Sequence, residues 1–85
     1  MFGVRHNLAE EFSEFSREMN YLKDNDNTFA ELLDSYYRAD KKIYGYERKQ
    51  RPVDDTYMGT LKKWRVRLKD DIYRRLQQTA VASAT

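Results

Sequence analysis

The sequence predicts an all-α protein, an antiparallel helical hairpin or coiled coil with an additional short N-terminal helix. Apolar residues recur at intervals of three and four in three segments, and the chain has only three glycines and one proline. Such spacing places apolar side chains on one face of a helix. The halves also differ in charge, since residues 1–40 carry a net charge of −5 and residues 41–85 one of +7. Their attraction favours an antiparallel arrangement.

The first helix is expected over about residues 8–23. Its apolar stripe consists of Leu8, Phe12, Phe15, Met19 and Leu22. Asn7, followed by Glu10, is typical of a helix cap, although Ser13 is an alternative start. The polar stretch 24–27 ends this helix, because its side chains bond to their own backbone in turns.

The second helix is expected over about residues 28–48. Thr28 and Glu31 have the spacing of a capping box, which indicates a helix start. Its stripe is close to a heptad pattern and includes Phe29, Leu32, Leu33, Tyr36, Ala39, Ile43 and Tyr46, with Asp40 and Glu47 among them. The pair Arg51-Pro52 ends the helix, since the residue before proline avoids helical torsions.

The third helix is expected over about residues 55–79, capped by Asp54 or Asp55. Its stripe is Tyr57, Leu61, Trp64, Leu68, Ile72 and Leu76. A turn centred near residue 52 places Asp40 opposite Trp64 and Arg65, so we predict an Asp40–Arg65 ion pair that sets the register. Residues 80–85 lack charge and large side chains and are expected to fray.

The length of 85 residues predicts one small helical domain over residues 1–79, whose core alone is marginal. There is no cysteine for a disulfide and no Cys/His cluster with zinc spacing. Self-association is therefore the expected source of additional stability. The N-terminal helix can pack on its own hairpin or on that of another chain, and the sequence leaves both arrangements open.

Several short motifs follow one another along most of the chain. They are His6-x-Leu8-x-x-Glu11-Phe12, Leu22-Lys23, Phe29-x-x-Leu32, Tyr36, Ile43, Glu47, and Leu61-Lys62-Lys63-x-Arg65-x-x-Leu68-Lys69-Asp70-x-Ile72. Taken in order, they resemble the YdcH family of short bacterial proteins, which usually has proline where this chain has Ser13. The resemblance covers roughly residues 6–76, and it implies a short helical hairpin or coiled coil without an established activity or catalytic residues.

Catalytic, cofactor and metal sites are not expected. His6 is the sole histidine, and no serine, cysteine or paired carboxylate is tied to it by spacing. The adjacent pairs Asp54-Asp55 and Asp70-Asp71 would point about 100° apart on a helix and could not clasp one ion. The stretch 24–27 lacks the glycine and distal glutamate of a calcium loop. We therefore predict that the protein is not an enzyme.

Surplus aromatic and apolar residues indicate a protein interface. The predicted interface comprises Phe12, Phe15, Met19, Tyr37, Tyr44, Val66 and Tyr73. The alternative is a nucleic-acid contact through the basic third helix, at Lys62, Arg65 and Lys69. These cations are, however, expected to cover the apolar stripe and to pair with the acidic helix, as flanking charges do in coiled coils.

We therefore expect a small non-catalytic helical interaction protein. It would self-associate, or serve as an accessory or adapter subunit on a larger cytoplasmic protein; a nucleic-acid-associated regulator is the alternative. The N-terminus has neither a cationic leader with an apolar core nor a small-residue cleavage site, and no apolar run is long enough to cross a membrane. These features favour a cytoplasmic location.

Overall fold

The computed structural model of the chain describes residues 7–49 and 54–84, except for the side chains of residues 49, 83 and 84. Helix α1 spans Leu8–Glu11, a short 3₁₀-helix spans Ser13–Phe15, and α2 spans Ser16–Asn25. Two long helices follow, α3 over Asn27–Lys49 and α4 over Asp55–Ala84. The predictions for His6 and for Arg51-Pro52 lie outside the described residues.

Helices α3 and α4 pack antiparallel, so the predicted all-α hairpin is confirmed. Asp26, at the start of α3, pairs with Arg75 in the C-terminal part of α4. Near the end of α3, Glu47 Oε2 lies 4.0 Å from Lys62 Nζ, which is near the start of α4. The described residues form an elongated body of 50 × 20 × 17 Å.

The N-terminal segment differs from the single helix expected over residues 8–23. The backbone leaves the helical region at Phe12 (φ −110°, ψ 39°) and again at Phe15 (φ −109°, ψ 24°). Both rings pack against Tyr73 of α4, with centroid distances of 5.4 and 5.8 Å. The two breaks therefore let the segment follow the surface of the hairpin. The predicted Asn7 cap is confirmed, since its Oδ1 accepts a hydrogen bond of 3.0 Å from the backbone N–H of Ala9.

A single extended residue, Asp26, forms the corner between α2 and α3 (φ −131°, ψ 105°). Its Oδ1 accepts a hydrogen bond of 3.1 Å from the backbone N–H of Phe29. The capping box predicted at Thr28 is therefore wrong, because α3 already begins at Asn27. An aspartate is a good cap, and its negative charge also suits the helix N-terminus. The Phe29 N–H and the Arg75 guanidinium hold the pKa of Asp26 below its usual value.

Helix α4 begins with Asp54 as its cap, one of the two predicted residues. The backbone N–H of Thr56 donates a 2.7 Å hydrogen bond to Asp54 Oδ1. At the other end the helix continues to Ala84 instead of ending near residue 79. Alanine at 80, 82 and 84 explains this length, because alanine has the highest helix propensity. That residues 80–85 fray stays a prediction.

One apolar core joins all four α-helices at the end of the hairpin that α1 and α2 cover. It contains Leu8, Phe12, Met19, Leu22, Phe29, Leu33, Tyr36, Leu68, Ile72 and Leu76. Burial of their apolar surface is the main stabilising contribution. The N-terminal helices thus pack on the hairpin of their own chain, and beyond them only α3 and α4 remain to cover each other.

Candidate partner-binding surface

An open groove of about 730 Å³ lies between α3 and α4 toward the connected end of the hairpin. We call it the basic groove and define it by its lining residues: Ser35, Arg38, Ala39, Lys41, Lys42, Gly45, Tyr46, Leu61 and Trp64. The groove and the N-terminal helices lie on opposite sides of the hairpin. Trp64 lines the groove and Tyr73 contacts the N-terminal segment, and nine residues at 100° each place them half a turn apart on α4.

Small residues on α3 create the groove. Ser35, Ala39 and Gly45 contribute little or no side chain to its wall. At Gly45 a Cβ atom would meet nothing within 4 Å, so the helix backbone borders open space there. An atom of another molecule could therefore approach the backbone of α3 closely at this point.

The rim of the groove is positively charged. Lys41 and Lys42 are exposed, and neither makes an ion pair with a residue in the described ranges. Arg38 Nε lies 3.0 Å from Asp34 Oδ2 on the surface of α3, and such an exposed pair is weak. The groove thus offers two unneutralised ammonium groups and one weakly paired guanidinium.

The floor of the groove is apolar and aromatic. Tyr46 packs edge-on against Tyr57 with a centroid distance of 6.1 Å, and Leu61 is half-buried. Trp64 is 49% exposed. The prediction that Trp64 belongs to the apolar stripe between the helices is wrong. Arg65 turns toward α3 instead, and Trp64, one residue earlier, is rotated by 100° toward the groove.

The ion pair predicted between the helices is present. Arg65 Nη1 donates a 2.9 Å hydrogen bond to Asp40 Oδ1, and the two side chains are 20% and 1% exposed. Burial, followed by the nearby charge of Asp40, raises the pKa of Tyr36 to about 12. Among the described residues no buried side-chain nitrogen or oxygen lacks a hydrogen-bond partner. The register of the hairpin thus brings the two charges together between α3 and α4. That the pair sets this register stays a prediction.

The residues of the predicted protein interface differ in burial, from fully buried to exposed. Phe12 and Met19 are buried in the core of the same chain, so they cannot contribute to an exposed surface. This corrects that part of the prediction, and the reason is that α1 and α2 pack on their own hairpin. Three further members are half-buried, namely Phe15, Tyr37 and Tyr44. Val66 and Tyr73 remain 58% and 37% exposed on α4.

Each residue of the predicted nucleic-acid contact lies beside a carboxylate. Lys69 Nζ is 2.8 Å from Glu11 Oε2 and 5.8 Å from the centre of the Phe12 ring. Lys62 Nζ is 4.0 Å from Glu47 Oε2, and Arg65 pairs with Asp40 as described above. These three cations therefore bind parts of the protein itself, which weakens the case that they are a phosphate-binding surface.

The described part of the chain contains no group of three or more His, Cys, Asp or Glu side chains that could hold a metal ion. Within the same ranges, no helix is long and apolar enough to cross a membrane.

The basic groove was not predicted, because the apolar periodicity of the sequence places Tyr46, Leu61 and Trp64 in the packing between the helices. A signal was nevertheless present in the small residues Ser35, Ala39 and Gly45 of the second helix. A helix face with small residues leaves space beside its backbone, whereas a face with large residues fills it.

Residues 29–76 match a protein-family model described as "Protein of unknown function (DUF465)". The match covers more than half of the chain and includes every residue of the basic groove. The family comprises YdcH-like small helical proteins, so the resemblance noted in the sequence is confirmed. Comparison with curated proteins and with solved structures gives no match.

Proposed function

This chain belongs to the DUF465 family, whose activity is not established, and we propose that it is a small non-catalytic helical interaction protein. It would associate with itself, or serve as an accessory or adapter subunit on a larger protein of the cytoplasm. The single domain over residues 1–79 would be the unit that is recognised.

The observation that supports this proposal is the exposure of large apolar side chains where only α3 and α4 pack together. Trp64 and Val66 lie there on α4, and Tyr57 is 40% exposed nearby. Tryptophan and tyrosine contribute strongly to protein interfaces because they bury a large area and can still hydrogen-bond at one end. Trp64 and Tyr57 lie on the groove side of α4, whereas Val66, two residues or 200° from Trp64, lies on the opposite side. A contact on either side would therefore remove part of this surface from water.

A nucleic-acid-associated regulator remains the second candidate. It is supported by the net charge of +7 in residues 41–85 and by the exposed lysines of α3 and α4. Its binding should weaken steeply as salt rises, because phosphate contacts release counterions. A strong contact with phosphates is disfavoured, because Lys62, Arg65 and Lys69 each already pair with a carboxylate of the chain.

The test is affinity purification of the tagged full chain at moderate salt, with and without nuclease, followed by mass spectrometry and by light scattering of the purified protein. We expect a stoichiometric protein partner that survives nuclease, or a defined oligomer. Loss of all associated material on nuclease treatment, together with a monomeric chain, would contradict the proposal and favour the nucleic-acid role.

Two valines of α4 provide a matched pair of variants for this test. Val66→Ser changes the exposed region near the connected end, whereas Val81→Ser changes an equally exposed valine near the C-terminus. We expect the first to weaken association and the second to leave it unchanged. Equal effects of the two would show that the contact lies elsewhere.

A further inference from the structure

We propose that the basic groove binds an amphipathic helix of another protein, with its apolar face on Tyr46, Leu61 and Trp64 and with carboxylates beside Lys41 and Lys42. This inference rests on the proposed interaction function and names the chemistry of the partner. Three features of the groove carry it, namely its dimensions, its charge and its exposed aromatic floor.

The dimensions suit a short helix. The lining residues of α3 extend from Ser35 to Tyr46, which at 1.5 Å per residue is roughly 16 Å, or three helical turns. The absence of a side chain at Gly45 allows the close approach that helices make where small residues lie at the contact. A helix seated there would occupy the side of the hairpin opposite to that of α1 and α2.

The positive charge of the rim determines which sign of charge the bound helix should carry. Lys41 and Lys42 make no ion pair within the described residues, and Arg38 has only its exposed neighbour Asp34. Complementary charges across an interface speed association and exclude wrong partners, whereas like charges are costly. An acidic flank on the bound helix therefore fits this groove and a basic flank does not.

A second copy of the chain fits the groove poorly. Two grooves facing each other would bring Arg38, Lys41 and Lys42 of both copies together. The acidic N-terminal helices of a second copy have the right charge, but their apolar residues Leu8, Phe12, Met19 and Leu22 are already buried. The occupant is therefore a helix from a different protein.

The binding test uses a phage-displayed library of 18-residue amphipathic helices with a constant leucine face and with Glu, Gln or Lys varied along the flanks. Peptides are selected on the full chain alone, and the selected peptides are then tested for binding to Gly45→Leu, a variant whose new side chain fills the groove. Gly59→Leu is the matched control, because Gly59 is also helical, has open space around it and lies outside the groove. We expect Glu to be enriched at the flanks, with binding retained by Gly59→Leu and lost by Gly45→Leu.

Trp64 reports binding directly, since it is the only tryptophan in the sequence. The selected peptide should shift its fluorescence to the blue in a saturable way. The double variant Lys41→Glu/Lys42→Glu should bind the peptide about tenfold more weakly, as expected for two rim charges of modest strength each. Lys23→Glu, an exposed change on α2, is the control and should leave the affinity unchanged.

Enrichment of Lys, equal binding by the two glycine variants, or failure to select any peptide would overturn the inference. If one of these results occurs while the chain still forms a defined oligomer or keeps a nuclease-resistant partner, the groove assignment fails and the proposed function stands. If neither association nor peptide binding is found, both fail.

Discussion

The buried ion pair between α3 and α4 leads to an asymmetric prediction. Arg65→Leu leaves the Asp40 carboxylate, which is 1% exposed, without its guanidinium. Asp40→Leu leaves the Arg65 guanidinium, whose side chain keeps 20% exposure and part of its contact with water. Breaking a buried pair costs about 3 to 5 kcal/mol. We expect Arg65→Leu to reach this range and Asp40→Leu to stay below it.

The double variant Asp40→Leu/Arg65→Leu should be close to the wild type or more stable by about 1 to 4 kcal/mol, because an apolar pair avoids the cost of removing two charges from water. A domain of this length has a total stability of about 4 to 13 kcal/mol, so Arg65→Leu alone would take up a large part of it. The pair would then set the register of the hairpin more than it stabilises the fold.

The assay is urea unfolding followed by circular dichroism, with the four proteins compared at one concentration in a double-mutant cycle. This prediction is refuted if both single variants unfold within about 0.5 kcal/mol of the wild type, the range usual for surface substitutions. It is equally refuted if the double variant loses the sum of the two single losses, since contacting charges should not be additive.

Three further predictions concern the core, the alkaline range and the α2–α3 corner. Ile72→Ala should lower the free energy of unfolding by about 2 to 5 kcal/mol, because Ile72 is fully buried; Val81→Ala, at an exposed site, should change it by less than about 0.5 kcal/mol in the same urea experiment. Because the pKa of Tyr36 rises to about 12 in the folded protein and is near 10 when unfolded, the folded state holds its proton longer. The free energy of unfolding should therefore be lower at pH 11 than at pH 8 by about 1 kcal/mol from this group, and Tyr36→Phe should lack that contribution. The same pH dependence in both proteins would contradict the assignment. Asp26→Ala should unfold at lower urea concentration than the wild type at pH 7, and the difference should shrink as the pH falls through the lowered pKa of Asp26, because protonation removes its advantage as a cap and as a partner of Arg75. A difference that stays constant down to pH 2 would show that the Asp26 charge does not contribute.

The hairpin and its register could be derived from the sequence because both depend on local patterns. The stripe of the second helix contains Phe29, Leu33 and Tyr36, and that of the third contains Leu68 and Ile72, and all five are buried. The distance of Asp40 and Arg65 from the turn predicted that they would face each other. The membership of the chain in its family was also visible in the motifs of residues 29–76.

The tertiary structure alone decided where the N-terminal helices pack, which neighbour on α4 turns inward, and where open space remains. A helical period defines a face only to within about one residue, or 100°. The spacing therefore placed Trp64 in the apolar stripe, and only the rotation of α4 against α3 shows that Arg65 faces α3 while Trp64 lines the groove. The position of α1 and α2 depends on Phe12 and Phe15 meeting Tyr73, which is far away in the sequence. Small residues of α3 create the basic groove, but it stays uncovered because α1 and α2 pack on the other side of the hairpin, and no local pattern contains that placement.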